Sequence, residues 1–302
     1  MTESSADLPA AISRLAEAHG LALDEASIEL NEMGLDFRVA IARTLQGDPW
    51  VLRMPRRSDV LQRAAVEGRL LRIVAPHLSV AVPDWQIQTA ELTAYPLLPG
   101  EPGLVLTEAG EPEWYVDVSS PAFANSLGDL LAELHTVDAA AAEATGIECR
   151  DPDEVRESWH AGIAKVAAEF DVAPHLKSRW AAWLNEDSYW PGWSVLTHGE
   201  VYPGHTLVAD NRITGVLDWT TAAVGDPAKD FMFHQATASA EAFTLTVDRY
   251  VARGGRVWPR LAEHCAEMFS ASPVAYGIYA LLTSEDQHLE AAAAQLDPST
   301  GT

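Results

Sequence analysis

The spacing of apolar residues along the chain switches from helical to alternating and back to helical, which predicts an α+β protein. Residues 7–20 predict a short helix, because Ile12, Leu15 and Ala16 share one face. The next segments predict a three-stranded antiparallel meander over residues 27–31, 37–42 and 50–54, a helix over 59–75, and two strands within 80–95. The first third of the chain is therefore predicted to be rich in β-structure.

A segment rich in proline and glycine, residues 98–103, is the clearest boundary in the chain. Beyond it the apolar residues recur at helical spacing, except over 194–219, which predicts a loop and a hairpin. The predicted helices cover residues 120–142, 152–170, 173–186, 227–254 and 257–290. We therefore predict a small β-rich N-terminal lobe over 1–97, a linker over 98–103, and a larger, mostly α-helical lobe over 104–302.

Composition and charge narrow the class of protein. A chain of 302 residues, 48% of them hydrophobic, can form a sizeable core in one large domain or two lobes. The formal net charge of −24 disfavours a nucleic-acid partner and favours a cationic small molecule. Cys149 and Cys265 are isolated, no apolar stretch is long enough to cross a membrane, and the N-terminus lacks a signal-peptide pattern. We expect a cytoplasmic protein with no membrane partner.

Acidic and imidazole side chains are concentrated around the predicted hairpin. Folding the hairpin brings His205, which enters its first strand, close to Asp218, which leaves its second, and Glu200 lies on the loop just before. Such residues taken singly are more often surface turn residues, but their grouping suits metal-assisted phosphoryl transfer. One carboxylate accepts or orients the proton of the attacking hydroxyl, and others hold Mg²⁺ against the phosphate oxygens.

Two further acids follow within a dozen residues of Asp218. Asp226 is predicted to cap a helix that begins at Pro227. Asp230 is predicted to tie down a loop, although contact with a cationic substrate stays open for it. Both therefore have structural interpretations beside any role in the site.

The motif HGExxxxH at 198–205, followed by GVLDW and GDPxxD, resembles that of the aminoglycoside phosphotransferase-like kinases, which is usually HGDxxxxN and then IDW. Segments between residues 31 and 281 are similar to the macrolide 2′-phosphotransferase branch: NEMGLDFRVA, WVLRMPRR, AYPLLPGEPG, HGxxxPGHTLV and SPVAYGIYAL. The resemblance implies a protein-kinase-like bilobal fold with the nucleotide between the lobes. It also implies phosphoryl transfer to the 2′-hydroxyl of a macrolide amino sugar.

The resemblance also implies roles for the residues of the motif. Glu200 occupies the place of the catalytic Asp, His205 and Asp218 occupy the two metal positions, and His198 is a structural brace of the loop. Glu200 is one methylene longer than Asp, so the protein is a slow enzyme, one with a compensated loop, or an altered form. His205 offers nitrogen where Mg²⁺ prefers oxygen. It is therefore a weak metal ligand, a hydrogen-bond donor to phosphate, or a residue that orients Glu200.

The resemblance likewise assigns a nucleotide side to the first lobe. No lysine precedes Lys165, so Arg53 is the candidate for the cation that usually binds the phosphates from the third strand, with Glu67 as its ion-pair partner. An arginine on a strand and a glutamate on a helix are, taken alone, more often surface residues. The remaining candidates are Gly34 in a phosphate loop and Tyr95, Leu97 and Leu98 in a hinge that binds the base. The family implies GTP, while the residues are equally compatible with ATP.

Apolar residues late in the chain are candidates for the acceptor pocket. Met268, Phe269, Tyr276 and Tyr279 lie close together in sequence, although such stripes more often form core. The resulting prediction is a monomeric, Mg²⁺-dependent, GTP- or ATP-dependent phosphotransferase that inactivates macrolides. One alternative is an aminoglycoside or small-alcohol kinase of the same fold, and another is a pseudokinase-like binding protein, suggested by Glu200. A choline- or homoserine-kinase-like enzyme is a third, which the SPVAY segment does not support.

Overall fold

The computed structural model of the protein describes residues 8–31, 36–58, 60–107 and 110–297, so the predicted Gly34 lies outside the described residues. The α+β class is confirmed. The helices are α1 (Leu8–Ala18), α2 (Val60–Val74), α3 (Pro121–Leu134), α4 (Ala139–Glu143), α5 (Pro152–Glu169), α6 (Pro174–Asn185), α7 (Ala228–Thr237), α8 (Ala240–Ala252), α9 (Leu261–Ser270), α10 (Ser272–Thr283) and α11 (Asp286–Leu296). The strands are β1 (Leu23–Asn31), β2 (Phe37–Thr44), β3 (Pro49–Pro55), β4 (Ile87–Gln88), β5 (Thr93–Pro96), β6 (Glu101–Pro102), β7 (Leu104–Leu106), β8 (Pro112–Trp114), β9 (Glu148–Cys149), β10 (Val195–Thr197), β11 (Thr206–Ala209), β12 (Arg212–Val216) and β13 (Ala223–Gly225).

An antiparallel sheet of five strands, in the order β1-β2-β3-β5-β4, forms the first part of the fold. One face packs against α1 through small and aliphatic side chains, including Ala40, Leu52 and Ala94. Alternate residues point to the other face, where Arg53 stands in register with Val39. Because α2 lies on this second face, the sheet and α2 together position Arg53.

The predicted linker is partly ordered by sheet pairing. Residues 101–102 form β6, which pairs with β11 and so joins the linker to the hairpin of β11 and β12. Gly100 has φ +103°, and a Cβ at this position would overlap the side-chain oxygen of Thr214. Glycine is therefore required where the chain turns into β6. The division of the chain into lobes at 98–103 stays a prediction.

The helical part contains more and shorter helices than the apolar pattern predicts. Residues 120–142 form α3 and α4, residues 227–254 form α7 and α8, and residues 257–290 fall in α9, α10 and α11. The breaks have local causes, because Asp138 caps α4 and Ser239 caps α8 through side-chain hydrogen bonds. Apolar periodicity continues through such caps, so it could not reveal them.

The main core surrounds α3, whose apolar face is fully buried. The largest buried side chains of this core are those of Trp180, Trp183, Trp219, Phe231 and Tyr250. Within the described ranges, no helix is long and apolar enough to cross a membrane.

Candidate functional site

The hairpin of β11 and β12 brings the predicted acidic and imidazole side chains together. Its turn residues Asp210 and Asn211 both have positive φ, at 51° and 55°, which suits a tight two-residue connection. At the open end, the backbone N–H of Leu217 donates to the carbonyl oxygen of His205 at 2.8 Å. His205 and Asp218 are therefore neighbours because of local hairpin geometry.

The imidazole of His205 lies between two carboxylates. Its Nδ1 is 3.7 Å from Oε2 of Glu200, and its Nε2 is 3.7 Å from Oδ2 of Asp218. The same Nδ1 lies 3.2 Å from the backbone carbonyl oxygen of Glu200. A carbonyl oxygen can only accept, so Nδ1 carries a proton and donates it to the backbone of the loop. All three side chains are partly exposed and form one polar cluster.

The two carboxylates of this cluster differ in their affinity for protons. Burial raises the pKa of Glu200, and the negative charge of Asp218 adds to this effect, although His205 and Lys229 oppose it. Burial alone would also raise the pKa of Asp218, but the attraction of His205 and hydrogen bonds from Thr220 outweigh it, so this pKa is lowered. Asp218 is therefore suited to remain charged beside a cation, and Glu200 is the better proton acceptor.

The loop that carries Glu200 is anchored from behind by Asp230. The backbone N–H groups of His198 and Gly199 donate to its carboxylate at 3.0 and 2.7 Å, and Nε2 of His135 lies 3.2 Å from it. Asp230 has no exposed surface, and both of its oxygens accept hydrogen bonds. It therefore ties down the loop, and its alternative assignment to the substrate surface is wrong.

The imidazole of His198 connects the loop to the hairpin. This side chain is fully buried, its Nε2–H donates to the carbonyl oxygen of Leu217 at 2.9 Å, and its Nδ1 accepts from the backbone N–H of Glu200 at 3.3 Å. Burial lowers the pKa of His198, in agreement with a neutral ring that donates on one side and accepts on the other. These contacts fit the predicted structural role.

Asp226 holds the start of α7. Its Oδ1 accepts from the backbone N–H of Ala228 at 2.8 Å, and its Oδ2 lies 2.8 Å from Nε2 of His264. The indole N–H of Trp183 donates to the other nitrogen of His264 at 3.0 Å, so the proton on Nε2 points at Asp226. The helix begins at Ala228, one residue after the predicted Pro227, and the buried network joins α7 to α9.

Arg53 and Glu67 form the buried ion pair that the sequence suggested. Their side chains are separated by 2.9 Å, and the guanidinium lies 4.1 Å from the ring centroid of Phe37. Burial alone would lower the pKa of Arg53, but nearby acidic groups, chiefly Glu67, outweigh it and raise the value. The same oxygen of Glu67 accepts from the backbone N–H of Trp219 at 3.4 Å. The ion pair therefore also touches the segment that follows Asp218.

The predicted hinge needs one correction. The backbone N–H of Leu97 donates to the carbonyl oxygen of Pro49 at 2.9 Å, so it is committed to the sheet and is not the donor to a nucleotide base. That role stays a prediction for Leu98. Tyr95 is buried in β5, and burial raises its pKa to about 12. Its hydroxyl is therefore neutral at ordinary pH.

Comparison with known proteins identifies the family. The model of the phosphotransferase enzyme family matches residues 27–264. This chain belongs to that family. The predicted family is thus confirmed for this phosphotransferase.

Several relatives are similar to this phosphotransferase over nearly their whole length. The apoenzyme of macrolide 2'-phosphotransferase MphH from Brachybacterium faecium is 61% identical, with 97% of this chain and 98% of that chain covered and a TM-score of 0.93. A macrolide 2'-phosphotransferase type I is 39% identical, with 98% of each chain covered and a TM-score of 0.90. The uncharacterized protein YcbJ of Bacillus subtilis (strain 168) is 41% identical over 282 residues, 92% of each chain.

A more distant structure establishes the kinase-like fold. The GDP complex of an aminoglycoside 2'-phosphotransferase-IIIa is 17% identical, with 96% of this chain and 97% of that chain covered and a TM-score of 0.75. At this identity the likeness concerns the fold alone, which is the α+β fold of these enzymes.

The predicted acceptor residues separate into different environments. Met268 is only 1% exposed and packs in the main core, so its assignment to the acceptor surface is wrong. Phe269 is 37% exposed, and it begins a row of aromatic contacts that reaches the hairpin. Ring centroids are 6.0 Å apart for Phe269 and Phe233, 5.4 Å for Phe233 and Tyr202, and 4.5 Å for Tyr202 and His205. Tyr202 lies within the motif, but the sequence gave no sign that its ring would lie between those of Phe233 and His205.

Tyr276 and Tyr279 form a separate group on α10. Their rings stack with centroids 6.2 Å apart, and the hydroxyl of Tyr276 lies 2.9 Å from Nδ1 of His288. Their assignment to the acceptor pocket stays a prediction.

Proposed function

We propose that this phosphotransferase moves the γ-phosphoryl group of a purine nucleoside triphosphate, GTP first and ATP as the alternative donor, to the 2′-hydroxyl of a macrolide amino sugar. The similarity to two macrolide 2'-phosphotransferases supports the acceptor. The observation that carries the chemistry is the cluster in which His205 lies 3.7 Å from both Glu200 and Asp218. We further propose a cytoplasmic monomer.

Glu200 acts as the proton acceptor in this proposal. Its carboxylate is partly exposed at the end of an anchored loop, and its raised pKa favours uptake of a proton from a hydroxyl. Phosphoryl transfer depends mainly on position and electrostatics. The anchors at His198 and Asp230 therefore matter as much as the basicity of Glu200.

The chemistry of Asp218 fits Mg²⁺. One oxygen of its carboxylate accepts from Thr220, the other faces the cluster, and the lowered pKa keeps it charged. Mg²⁺ in kinases is commonly held by one or two carboxylates together with phosphate oxygens, and it neutralises charge on the transferred group. In the described part of the chain, no group of three or more His, Cys, Asp and Glu forms a complete metal site. We propose that Asp218 holds the ion, and that His205, whose Nδ1–H donates to the loop carbonyl, orients Glu200.

The test is incubation of the protein with Mg²⁺, either GTP or ATP, and either erythromycin or kanamycin, followed by mass spectrometry. We expect phosphorylated erythromycin, formed with GTP at least as fast as with ATP. Product from kanamycin alone would favour the aminoglycoside alternative. The absence of product in all four mixtures would contradict the proposed activity.

Arg53 is proposed to bind the nucleotide phosphates. The substitution R53M removes the cation and leaves Glu67 buried without its partner, so we expect kcat/KM for GTP to fall by about 100-fold or more. R53K keeps a cation beside Glu67 but loses the planar guanidinium that lies over Phe37, so its kcat/KM should fall less than that of R53M without reaching the unmodified value. Steady-state kinetics with varied GTP measure both, and R43M, at an exposed arginine of β2, is the matched control. Equal kcat/KM for R53M and R43M would contradict the assignment.

The pseudokinase alternative is suggested by the glutamate at position 200. Because the cluster around Glu200 is formed and its loop is anchored, we expect E200D to stay within about tenfold of the unmodified kcat. A kcat of E200D about 100-fold above that of the unmodified protein would instead show that the glutamate at position 200 impairs catalysis. No turnover in either protein would favour a binding protein. Single-turnover measurements of phosphorylated macrolide separate these outcomes.

A further inference from the structure

The guanidinium of Arg53 is fixed at its edge by an ion pair, so its orientation depends on what contacts its two faces. Its Nη1 lies 2.9 Å from Oε1 of Glu67, and only 10% of the arginine side chain is exposed. A carboxylate binds the N–H groups around the rim of a guanidinium and leaves the plane to be held by other groups. A lysine, which kinases commonly carry on this strand, ends in a compact ammonium without such a plane. Arginine therefore needs a restraint here that lysine would not need.

Two aromatic rings contact this guanidinium. Its Cζ lies 4.1 Å from the ring centroid of Phe37 and 5.6 Å from that of Trp85. Both distances fall within the range of about 6 Å in which the negative face of an aromatic ring attracts a cation. Phe37 is buried, and the indole packs against the cluster that Phe37 forms with Val60 and Ala64 of α2. Water is largely excluded from this place, so the attraction is stronger than at an exposed site.

The register of the sheet brings Phe37 to Arg53. Arg53 on β3 pairs with Val39, and Phe37, two residues earlier on β2, pairs with Pro55. Residues two apart in a strand point to the same face, so the ring and the guanidinium are diagonal neighbours on the face that packs against α2. Such neighbours are roughly 7–8 Å apart at the backbone, a distance that aromatic and long side chains can span. The contact is therefore set by the pairing of the two strands.

Gly68 allows Trp85 to pack directly against α2. This glycine follows Glu67 in the helix, and a Cβ on it would lie 2.9 Å from Cε3 of the indole and 2.6 Å from the side-chain nitrogen of Gln88. Glycine weakens the interior of a helix, and the close approach of these side chains explains its presence here. Glu67 and Trp85 are therefore both held at α2 where they contact Arg53.

We propose that Phe37 is a positioning residue for Arg53: its ring holds the plane of the guanidinium by a cation–π contact, with Trp85 in support, so that the arginine can bind the nucleotide phosphates in place of the usual lysine. The kinetic test of this inference rests on the proposed phosphate-binding role of Arg53. The unfolding test rests on the geometry of the rings alone.

Fluorinated phenylalanines at position 37 test the contact with little change in the size of the ring. Each added fluorine draws electron density from the ring face and weakens its attraction for a cation. We expect kcat/KM for GTP to fall stepwise through mono-, di- and trifluorophenylalanine, by about three- to tenfold over the series, while KM for the macrolide stays unchanged. The same series at Phe243, which is buried on α8 and faces other aromatic rings, is the matched control and should show no trend.

F37L extends the series, because leucine is apolar but has no aromatic face, and it should lower kcat/KM for GTP at least as much as trifluorophenylalanine. A flat fluorine series at Phe37 would overturn the proposal if R53M loses activity with GTP, since Arg53 would then bind the nucleotide without help from the ring. Equal trends at Phe37 and Phe243 would overturn it as well, because the fluorines would then act through packing.

Urea unfolding of the same variants requires neither nucleotide nor macrolide. We expect the unfolding midpoint to fall with each fluorine at Phe37 in the protein with Arg53. In the double variant R53M/E67Q, which removes both charges of the buried ion pair, the trend should vanish. A trend of the same size in both backgrounds, or none in either, would overturn the proposal. A trend that depends on Arg53, in a protein whose R53M variant keeps its kcat/KM for GTP, would sustain the contact and contradict only the phosphate-binding role of Arg53.

Discussion

Replacing Glu200 by glutamine is expected to lower kcat by about 10²–10⁴-fold, the usual contribution of a general base. Glutamine keeps the size of the side chain and lacks a group that accepts a proton near neutral pH. The loop should stay in place, since its anchors run through the backbone of residues 198–200 and do not use the carboxylate of Glu200. Rates of macrolide phosphorylation measure the loss, and circular dichroism with urea unfolding checks that the fold is retained.

The pH dependence of kcat/KM gives a second view of the same residue. A base works only when it is deprotonated, so the rate should fall as the pH drops through the pKa of Glu200. Because burial raises that pKa, the decline should begin above the ordinary glutamate value of about 4.3. The residual activity of E200Q should lack this acidic limb. If E200Q keeps more than about a tenth of the unmodified kcat, Glu200 is not the base.

The hairpin shows why part of the site could be predicted from sequence. His205 and Asp218 are brought together by two short strands and a two-residue turn, so their proximity follows from local geometry. The loop-tying role of Asp230 also followed from a motif close in sequence. Predictions held where the relevant contacts were local.

Long-range packing accounts for the errors. Met268 lies on an apolar stripe that would suit either a pocket or a core. The packing of α9 against α7 and α6 places it in the core, and such packing cannot be read from a local sequence pattern. The N–H of Leu97 is taken by Pro49 across the sheet.

The four acids of the site fall into two groups, those that hold the structure and those that are available for chemistry. The carboxylates of Asp230 and Asp226 accept hydrogen bonds from backbone N–H groups and lie against histidines, which fixes the loop and α7. Glu200 and Asp218 remain partly exposed. A carboxylate that must exchange a proton or bind a cation cannot also be saturated by hydrogen bonds, so the rigid and the reactive acids have to be different residues.

Asp230 is consequently the residue whose loss should most damage the fold of the site. D230A leaves the buried N–H groups of His198 and Gly199 without an acceptor and removes the carboxylate beside Nε2 of His135. Removing a buried, charge-assisted acceptor of this kind should lower the free energy of unfolding by about 3–5 kcal/mol. Urea unfolding followed by fluorescence measures the change, and D248A, at an exposed position of α8, should stay within about 0.5 kcal/mol of the unmodified protein.

The D230N variant removes the negative charge of Asp230 but keeps the size of its side chain, whereas D230A removes both. Asparagine fills the same space, but its amide nitrogen is a donor and would face the N–H of either His198 or Gly199, so one of the two bonds must be lost. We expect D230N to unfold at a urea concentration between those of D230A and the unmodified protein. Its kcat should fall because the loop before Glu200 is released on one side, while KM for GTP changes little. A D230N protein with unmodified stability and kcat would show that the loop is held by other contacts, and the anchoring role of Asp230 would then be wrong.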